Sequence, residues 1–467
     1  MDKKNKIGIG LYLLNLIVFA FLSFIIISNN LLPTNYRIVY FVVMIIIEAV
    51  LGYLLFKKAG SKKRKVLLGL LTVMILIGNG AAGYYANQSL AALGKINENQ
   101  EEEQVGLSLV TLKDSDSNSP EDISEGQIIA PLDQDKESLE LYGAKEYKNA
   151  KDYMAAVDDL MKGKGEALLI NDAYMDLIKE KYPDFEERIK NIDSKEVTVK
   201  NKDIKKDVGE NEPFTMYISG IDTYGSISTV SRTDVNLLVT VNPKTHKILI
   251  TTIPRDSYVK IAGGGKNQYD KLTHSGIYGV GSSVATLENL FNTNINYYGR
   301  VNFSTLVKLV DLIGGIDVQN DQEFTTNGGQ HHFKQGTIHL NGEQALAFAR
   351  ERYNLSDGDM ARGRNHEKIL KAIIQKGMNP SVLLNYTKVL DIMSDSSETN
   401  MPTAKVIELV NNQIKTNSSW NIQGIQLQGS AQSGLPSYAM PGHDLYMFVP
   451  DDGSINQIQQ NIDSILN

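Results

Sequence analysis

Three apolar stretches open the chain, at residues 7–28, 36–56 and 66–86, and they constrain its fold more than anything that follows. Each has about 20 residues, the length at which a helix crosses a hydrocarbon core of about 30 Å. Lipid offers no hydrogen-bond partners, so a spanning segment must satisfy its own backbone groups and is held to helix. The reading is a three-helix membrane anchor over residues 1–87. A cleaved signal peptide has a short apolar core and a small-residue cleavage site. Here the first stretch is long and two more follow, so the anchor is expected to stay attached. Lys3, Lys4 and Lys6 precede the first stretch, and Lys57, Lys58, Lys62, Lys63, Arg64 and Lys65 fill the loop between the second and third. Loops rich in Lys and Arg stay in the cytoplasm, whereas the first connecting loop carries only Arg37. A multi-pass protein of the cell membrane is expected, with its N-terminus inside and everything beyond about residue 87 outside. Glu48 falls within the second stretch. An intramembrane carboxylate can mark a proton path or a partner contact, but one near the cytoplasmic end can also reach water, which is the plainer reading.

The part beyond the anchor is acidic. The chain of 467 residues carries a net charge of −7, and residues 1–100 hold 11 basic and 3 acidic side chains, which leaves 36 basic against 51 acidic beyond them. Nucleic-acid binding draws on phosphate neutralisation by a basic surface, so no nucleic-acid partner is expected for such an ectodomain. Arginine clusters on this background are local, site-forming features. The chain has no cysteine. Disulfides, thiolate zinc sites and a cysteine nucleophile are thereby excluded, and any nucleophile is oxygen or nitrogen.

Residues 88–135 are rich in Glu, Asp, Ser and Asn, with Glu101, Glu102 and Glu103 followed by a polar run from Lys113 to Pro120, and they read as a solvated polar stalk. Over 136–205, helical spacing at 150–162 and 172–190 flanks an apolar run at Ala167–Ile170, which suggests a small α/β accessory domain. From 206 to 467 strands and helices alternate. Phe214–Ser219, Asp234–Val241 and Lys247–Ile253 read as strands, and helical patterns follow at 282–291, 303–313, 341–350 and 361–377. The natural class is a layered α/β domain with binding loops at its strand ends.

At those ends arginines and aspartates gather: Asp222, Arg232, Asp234, Arg255, Asp256, Arg350, Arg352, Asp359, Arg362 and Arg364. Guanidinium groups pair with phosphate oxygens in a fork and stay charged at any working pH, so several converging arginines suit a pyrophosphate better than a neutral substrate. Ordinary Arg–Asp pairing at domain edges accounts for any one of them, and less well for all. The carboxylates among them suggest magnesium, which takes one or two carboxylates plus phosphate oxygens, and Asp222 and Asp234 are the candidate ligands. His274, His331, His332 and His339 lack the spacing of a zinc site. Gly263–Gly265 is not followed by Lys-Ser/Thr at P-loop spacing, and there is no Gly-x-Ser-x-Gly elbow for a serine hydrolase.

These residues fall into a series of short motifs: Ile218-Ser-Gly-Ile-Asp222, Ser231-Arg-Thr-Asp234, Ile253-Pro-Arg-Asp256, Leu312-Ile-Gly-Gly-Ile316, Leu340-Asn-Gly-Glu-Gln-Ala-Leu346, Phe348-Ala-Arg-Glu-Arg352 and Asp359-Met-Ala-Arg362. In them the sequence resembles the LytR-CpsA-Psr family, and within it the capsule-associated members with three spans and an accessory domain. The resemblance implies an α-β-α sandwich with a hydrophobic cleft for a polyprenyl chain. It implies a phosphotransferase that moves a polyprenyl-pyrophosphate-linked glycan, of capsular or teichoic-acid type, onto peptidoglycan and releases polyprenyl monophosphate. Carried over residue by residue, Asp222 and Asp234 hold magnesium, while Arg232, Arg255, Arg350, Arg352 and Arg362 hold phosphate. Asp234 and Arg255 stand closest to the chemistry. Family members commonly continue the last motif with a further arginine and a glutamine, where this chain has Asn365 and His366. His366 is then a candidate phosphate donor whose contact depends on pH. The implied partners are the lipid-linked glycan, the peptidoglycan acceptor, membrane lipid and capsule synthesis proteins. A second class stays open: a scaffold or sensor that binds the lipid-linked glycan without turning it over, needing the arginines but not the magnesium carboxylates.

Overall fold

The computed structural model describes residues 3–57, 62–98, 102–131, 136–142, 146–200, 204–221, 227, 229–379, 382, 389, 393–394 and 397–467. Helices α1 (Lys3–Ser28), α2 (Thr34–Phe56) and α3 (Lys62–Glu98) come first. Each is long and apolar enough to cross a membrane, and many of their large apolar side chains face outward, Phe21, Phe24, Val39 and Ile46 among them. A surface of that kind is matched to lipid. Glu48 does not reach water. It is 4% exposed, because Asn15 Nδ2 on α1 donates to its Oε1 at 2.6 Å while Tyr12 donates its hydroxyl to the Glu48 carbonyl at 2.9 Å. The plainer reading of this carboxylate is corrected: it is a polar contact between two apolar helices.

The third helix continues past the apolar stretch to Glu98, and its end is bound to the soluble part of the chain. Asn97 Nδ2 donates to the carbonyls of Thr399 and Met401 at 3.3 and 2.9 Å, and Ala92, Leu93 and Ile96 pack with Ile407.

A five-stranded sheet of order β3-β2-β4-β1-β5 follows, from β1 (Glu102–Leu112), β2 (Ile128–Pro131), β3 (Lys148–Ala150), β4 (Ala167–Asn171) and β5 (Ile189–Lys200). Helices α4 (Lys136–Glu140), α5 (Tyr153–Met161), α6 (Met175–Lys181) and α7 (Phe185–Arg188) accompany it. The expected stalk over 88–135 is therefore corrected. Those residues supply the end of α3 and two strands, so the accessory domain starts near residue 102 rather than 136. The polar run misled because only the apolar positions of β1 report its burial: Leu107 and Leu109 are buried under the sheet, while the glutamates beside them dominate the composition.

The C-terminal domain comprises β6 (Phe214–Ile221), β7 (Val235–Asn242), β8 (Lys247–Thr252), β9 (Tyr258–Ile261), β10 (Gln268–Lys271), α8 (Val280–Phe291), β11 (Tyr297–Asn302), α9 (Phe303–Leu312), β12 (Ile316–Asn320), β13 (Phe324–Thr325), β14 (His332–Phe333), β15 (Gly336–Leu340), α10 (Gly342–Arg350), α11 (Asp359–Gly377), β16 (Ser397–Thr399), α12 (Thr403–Thr416), β17 (Asn421–Gln426), β18 (Gly429–Ser433), β19 (Tyr446–Pro450) and α13 (Asp452–Leu466). Its centre is a mixed sheet of order β16-β11-β6-β7-β8-β17. Successive residues of a strand face opposite sides, and here both sides are apolar, the pattern of a sheet covered twice. Tyr217, Leu238 and Leu249 pack with α8 and α13. Phe214, Leu237, Val239, Ile248 and Ile250 pack with α11 and α12 on the other side. The result is an α-β-α sandwich.

The two domains share one core, in which Val230, Ile277, Ala439 and Met440 join Tyr153, Leu160 and Leu177. A buried charge triad reinforces the seam. Arg300 Nη1 on β11 lies 3.1 Å from Glu398 Oε1 on β16 and 3.6 Å from Glu103 Oε1 on β1. The same Glu103 oxygen accepts from Val280 N at the start of α8, at 3.1 Å.

Candidate functional site

Because β6 and β8 both run antiparallel to β7, their C-terminal ends and the start of β7 lie on one edge of the sheet. Ligand sites in α/β sheets gather at such strand ends. Asp234 sits just ahead of β7, and Arg255 and Asp256 follow β8 after Ile253 and Pro254. Main-chain bonds lock these loops together: Thr233 N donates to Thr273 O at 3.2 Å, Thr273 N to Arg255 O at 2.8 Å, and Asp234 N to Gly220 O at 3.0 Å. Gly276 is required beneath them, since a Cβ there would run into the Ser231 carbonyl and Thr233 nitrogen.

Arg255 Nη1 donates to Asp234 Oδ1 at 2.8 Å, and Thr273 Oγ1 donates to the same oxygen at 3.2 Å. Lys271 Nζ lies 3.1 Å from Asp256 Oδ1. Arg255 Nε is 3.8 Å from Asp256 Oδ2, beyond hydrogen-bond length, and is a buried donor with no acceptor among the described residues. The first turn of α11 adds Asp359 and Arg362, which form an ion pair. Arg352, just past α10, lies close enough to act electrostatically on both.

Burial alone would raise the Asp234 carboxyl, but Arg255, Arg232 and Arg362 outweigh it and hold it below the usual range, so it is anionic. Burial also works against the charge on Arg255, and Asp234, Asp256 and Asp359 more than offset that. Asp359 is pushed up, by burial first and by Asp256 as well. Arg362 is pushed down by burial, with repulsion from Arg255 and Arg352 adding to it. A guanidinium crowded by its own kind, next to one with an unsatisfied buried donor, is a place an oxyanion relieves.

The structure thus assembles Asp234, Arg255, Arg352 and Arg362, together with Asp256 and Asp359. Arg232 is turned toward the accessory domain: its Nη1 donates to Glu180 Oε1 at 2.8 Å and its Nη2 to Asp176 Oδ2 at 3.2 Å, both on α6. Arg350 lies over the Phe303 ring, 4.9 Å from its centroid, and Arg364 bonds Asp357 at 2.6 Å. His366 sits beneath the cluster. A carbonyl can only accept, so the 2.9 Å contact between its Nε2 and Ala349 O fixes that nitrogen as the protonated one. Burial and Arg362 press its pKa down to about 3, which keeps the ring neutral with its single N–H spent. Asn365 likewise donates to Phe348 O, at 3.2 Å. These two residues satisfy carbonyls at the end of α10 and so fix the approach to Arg350 and Arg352. Asp222 lies outside the described residues. Lys271 and Thr273 escaped the sequence reading; their signal was a lysine placed between buried Asp270 and Leu272 at the end of a short strand.

Magnesium can be weighed against these side chains. No three His, Asp or Glu side chains converge as a metal nest among the described residues. A phosphate-bound magnesium needs only one or two carboxylates, and Asp234, an anionic hard-oxygen donor within the arginine cluster, fits that role.

Residues 181–464, most of the chain, match the sequence pattern of the LytR_cpsA_psr family. The chain belongs to the LytR-CpsA-Psr family. Among its relatives, the Bacillus anthracis polyisoprenyl-teichoic acid–peptidoglycan teichoic acid transferase TagU is 36% identical over 245 residues, 52% of this chain and 78% of TagU. The Enterococcus faecalis TagU is 36% identical over 210 residues, 44% of this chain and 67% of that protein. The crystal structure of B. subtilis TagV aligns with 55% of this chain and 98% of its own at 27% identity, with a TM-score of 0.47. Residues 61–170 also match a pattern named DNA polymerase processivity factor. That stretch contains the whole of α3, so within this LytR-CpsA-Psr protein it joins an apolar helix to much of the accessory sheet. The LytR-CpsA-Psr match takes in the whole arginine–aspartate cluster.

Proposed function

We propose that this protein transfers a glycopolymer from a polyprenyl-pyrophosphate carrier to peptidoglycan. The observation that carries the reading is Arg255: a half-buried guanidinium paired with Asp234, whose buried Nε has no acceptor among the described residues, and which is flanked by Arg352 and Arg362. The TagU relatives, named as teichoic acid transferases acting on peptidoglycan, supply the substrate class. In the reaction an acceptor sugar hydroxyl attacks the phosphorus nearest the donor glycan. A new phosphodiester forms, the bond to the lipid phosphate breaks, the hydroxyl proton passes to water, and polyprenyl monophosphate leaves.

Arg255, Arg352 and Arg362 bind and orient the pyrophosphate and neutralise charge growing on its oxygens. Asp234 fixes the Arg255 fork and, held in its anionic form, is the residue to hold magnesium, which when bound supplies further neutralising charge to the phosphate oxygens. The glycan is a teichoic-acid or capsular polymer, and capsule synthesis proteins are natural neighbours. The lysine distribution supports an N-terminus in the cytoplasm with both soluble domains outside, on the side of the acceptor.

The test uses the full chain in lipid nanodiscs with a polyprenyl-pyrophosphoryl oligosaccharide and peptidoglycan, with and without magnesium. Magnesium-dependent release of polyprenyl monophosphate with phosphate-linked glycan on the wall, lost in Asp234→Ala, is the expected result. Lipid-glycan binding with neither product would replace the transferase reading with that of a scaffold.

A further inference from the structure

A tyrosine-lined cleft of about 500 Å³ runs between the accessory and C-terminal domains, within the size range of small-molecule sites, about 300–1,000 Å³. Lys151, Tyr153 and Tyr174 line one wall, and Tyr258, Tyr269 and Tyr438 the other. The rings are held in pairs: Tyr153 stacks on Tyr174 at 3.8 Å between centroids, and Tyr258 on Tyr269 at 4.9 Å. The loop carrying Tyr438 is pinned from below. Asp270, 1% exposed, accepts from Ser437 Oγ at 2.8 Å and from Ala439 N at 2.7 Å, and lies 2.8 Å from His274 Nδ1. Tyr258 donates its hydroxyl to Pro436 O at 2.9 Å. The Tyr258–Tyr269 pair also lines a second groove of about 530 Å³, together with Val259 and Lys260 of β9, Asn289 of α8 and Val449 of β19.

The chemistry of these walls differs from that of the phosphate cluster. Among the described residues no arginine lines either groove. Tyrosine presents an apolar ring to the C–H face of a sugar and a hydroxyl edge to its polar groups, at low conformational cost. The two sites are nevertheless linked through one strand pair. Tyr258 faces Lys271 across the β9–β10 ladder, and the Lys271 ammonium rests on Asp256. The accessory wall lies ahead of residue 181, outside the segment that defines the family. The Arg232 contacts with Asp176 and Glu180 hold that wall in place.

We propose that this inter-domain cleft binds the pyranose rings of a polysaccharide chain beside the phosphate cluster, and that the accessory domain is its glycan-holding wall. The purpose of that binding rests on the transfer reading above; its occurrence does not. The sugar is either the glycan of the donor or the strand of the acceptor, which share this chemistry.

Two lipid-free probes separate the sources: chitotetraose for the acceptor backbone and a teichoic acid oligomer for the donor. Binding to the full chain in nanodiscs is followed by ligand-observed NMR for the native protein, Tyr269→Ala, Tyr269→Phe and Lys151→Ala. Tyr269 and Lys151 are exposed, so these variants keep the fold. At least one probe should bind, weakened about fivefold or more by Tyr269→Ala and much less by Tyr269→Phe. Chitotetraose alone would assign the cleft to the acceptor, and the oligomer alone to the donor. Failure of both to bind, or binding untouched by Tyr269→Ala and Lys151→Ala, overturns the proposal. Binding without any transfer from a lipid-linked donor would sink the transferase reading and leave the cleft standing. Transfer without probe binding would do the reverse.

Discussion

Arg255 and His366 lie in the same cluster and have opposite standing in it. Arg255 keeps a donor with no acceptor among the described residues and a hydrogen-bonded carboxylate partner, so on the proposed function its removal leaves Asp234 anionic and the substrate phosphate without its principal contact. Arg255→Ala should lower transfer about 100-fold or more, and Arg255→Lys should recover little because a point charge cannot reproduce the fork. Turnover assays on purified protein check both. His366 has its only N–H committed to Ala349, and burial together with Arg362 takes its pKa from 6.5 to about 3. Between those values the unfolded chain takes up a proton that the folded protein refuses. The contribution of this residue is therefore whole above pH 6.5 and is lost as the pH falls toward 3. His366→Gln should flatten that acid decline in denaturation curves, and it should leave the transfer profile near pH 6.5 unchanged. An activity step at 6.5 that vanishes in His366→Gln would show instead that the ring meets substrate. The sequence could place the arginines, because charge at a strand end must leave the core. It could not place His366 or Arg232, whose partners lie on α10 and on the accessory domain.

Elements rather than single contacts decide how the domains hold together, and the Glu103–Arg300–Glu398 triad ties β1, β11 and β16 at one buried point. Arg300→Leu strands two carboxylates without a cation and should cost about 3–5 kcal/mol, seen as a lower denaturation midpoint. Glu398 answers differently. Burial raises its carboxyl from the ordinary 4.5 to about 7 against the pull of Arg300, with Glu103 adding to the rise. The folded state then holds a proton that the unfolded chain has released, so its stabilising contribution is whole below pH 4.5 and is lost as the pH rises through 7. Glu398→Gln, neutral throughout, should remove that decline, and a curve identical to the native one would refute the assignment. None of these pairings was legible in the sequence. Strands β6, β7 and β8 of the C-terminal sheet were, because their apolar runs are long, as were the three apolar helices, whereas the short, polar β16 and β17 were not. β1 was not, since its buried Leu107 and Leu109 alternate within a stretch whose glutamates read as stalk.

For the whole molecule, the question is how a membrane helix and a transfer site are related in space. The last turns of α3 do not lead into a free linker; Asn97 is bonded to Thr399 and Met401, and Ile96 packs against Ile407. The C-terminal domain is therefore packed against the end of an apolar helix, and on the proposed function a lipid-linked substrate would meet the arginine cluster from the membrane side. That arrangement is productive only if the basic loop before α3 stays inside while the accessory domain lies outside. The chain has no cysteine, so single thiols introduced on this background report their own positions. Lys113→Cys, on an exposed turn after β1, should react with a membrane-impermeant maleimide in intact cells. Lys63→Cys, at the start of α3, should react only after permeabilisation. Labelling of Lys63→Cys in intact cells, with Lys113→Cys protected, would invert the topology, put the arginine cluster in the cytoplasm away from peptidoglycan, and remove the acceptor on which the proposed transfer depends.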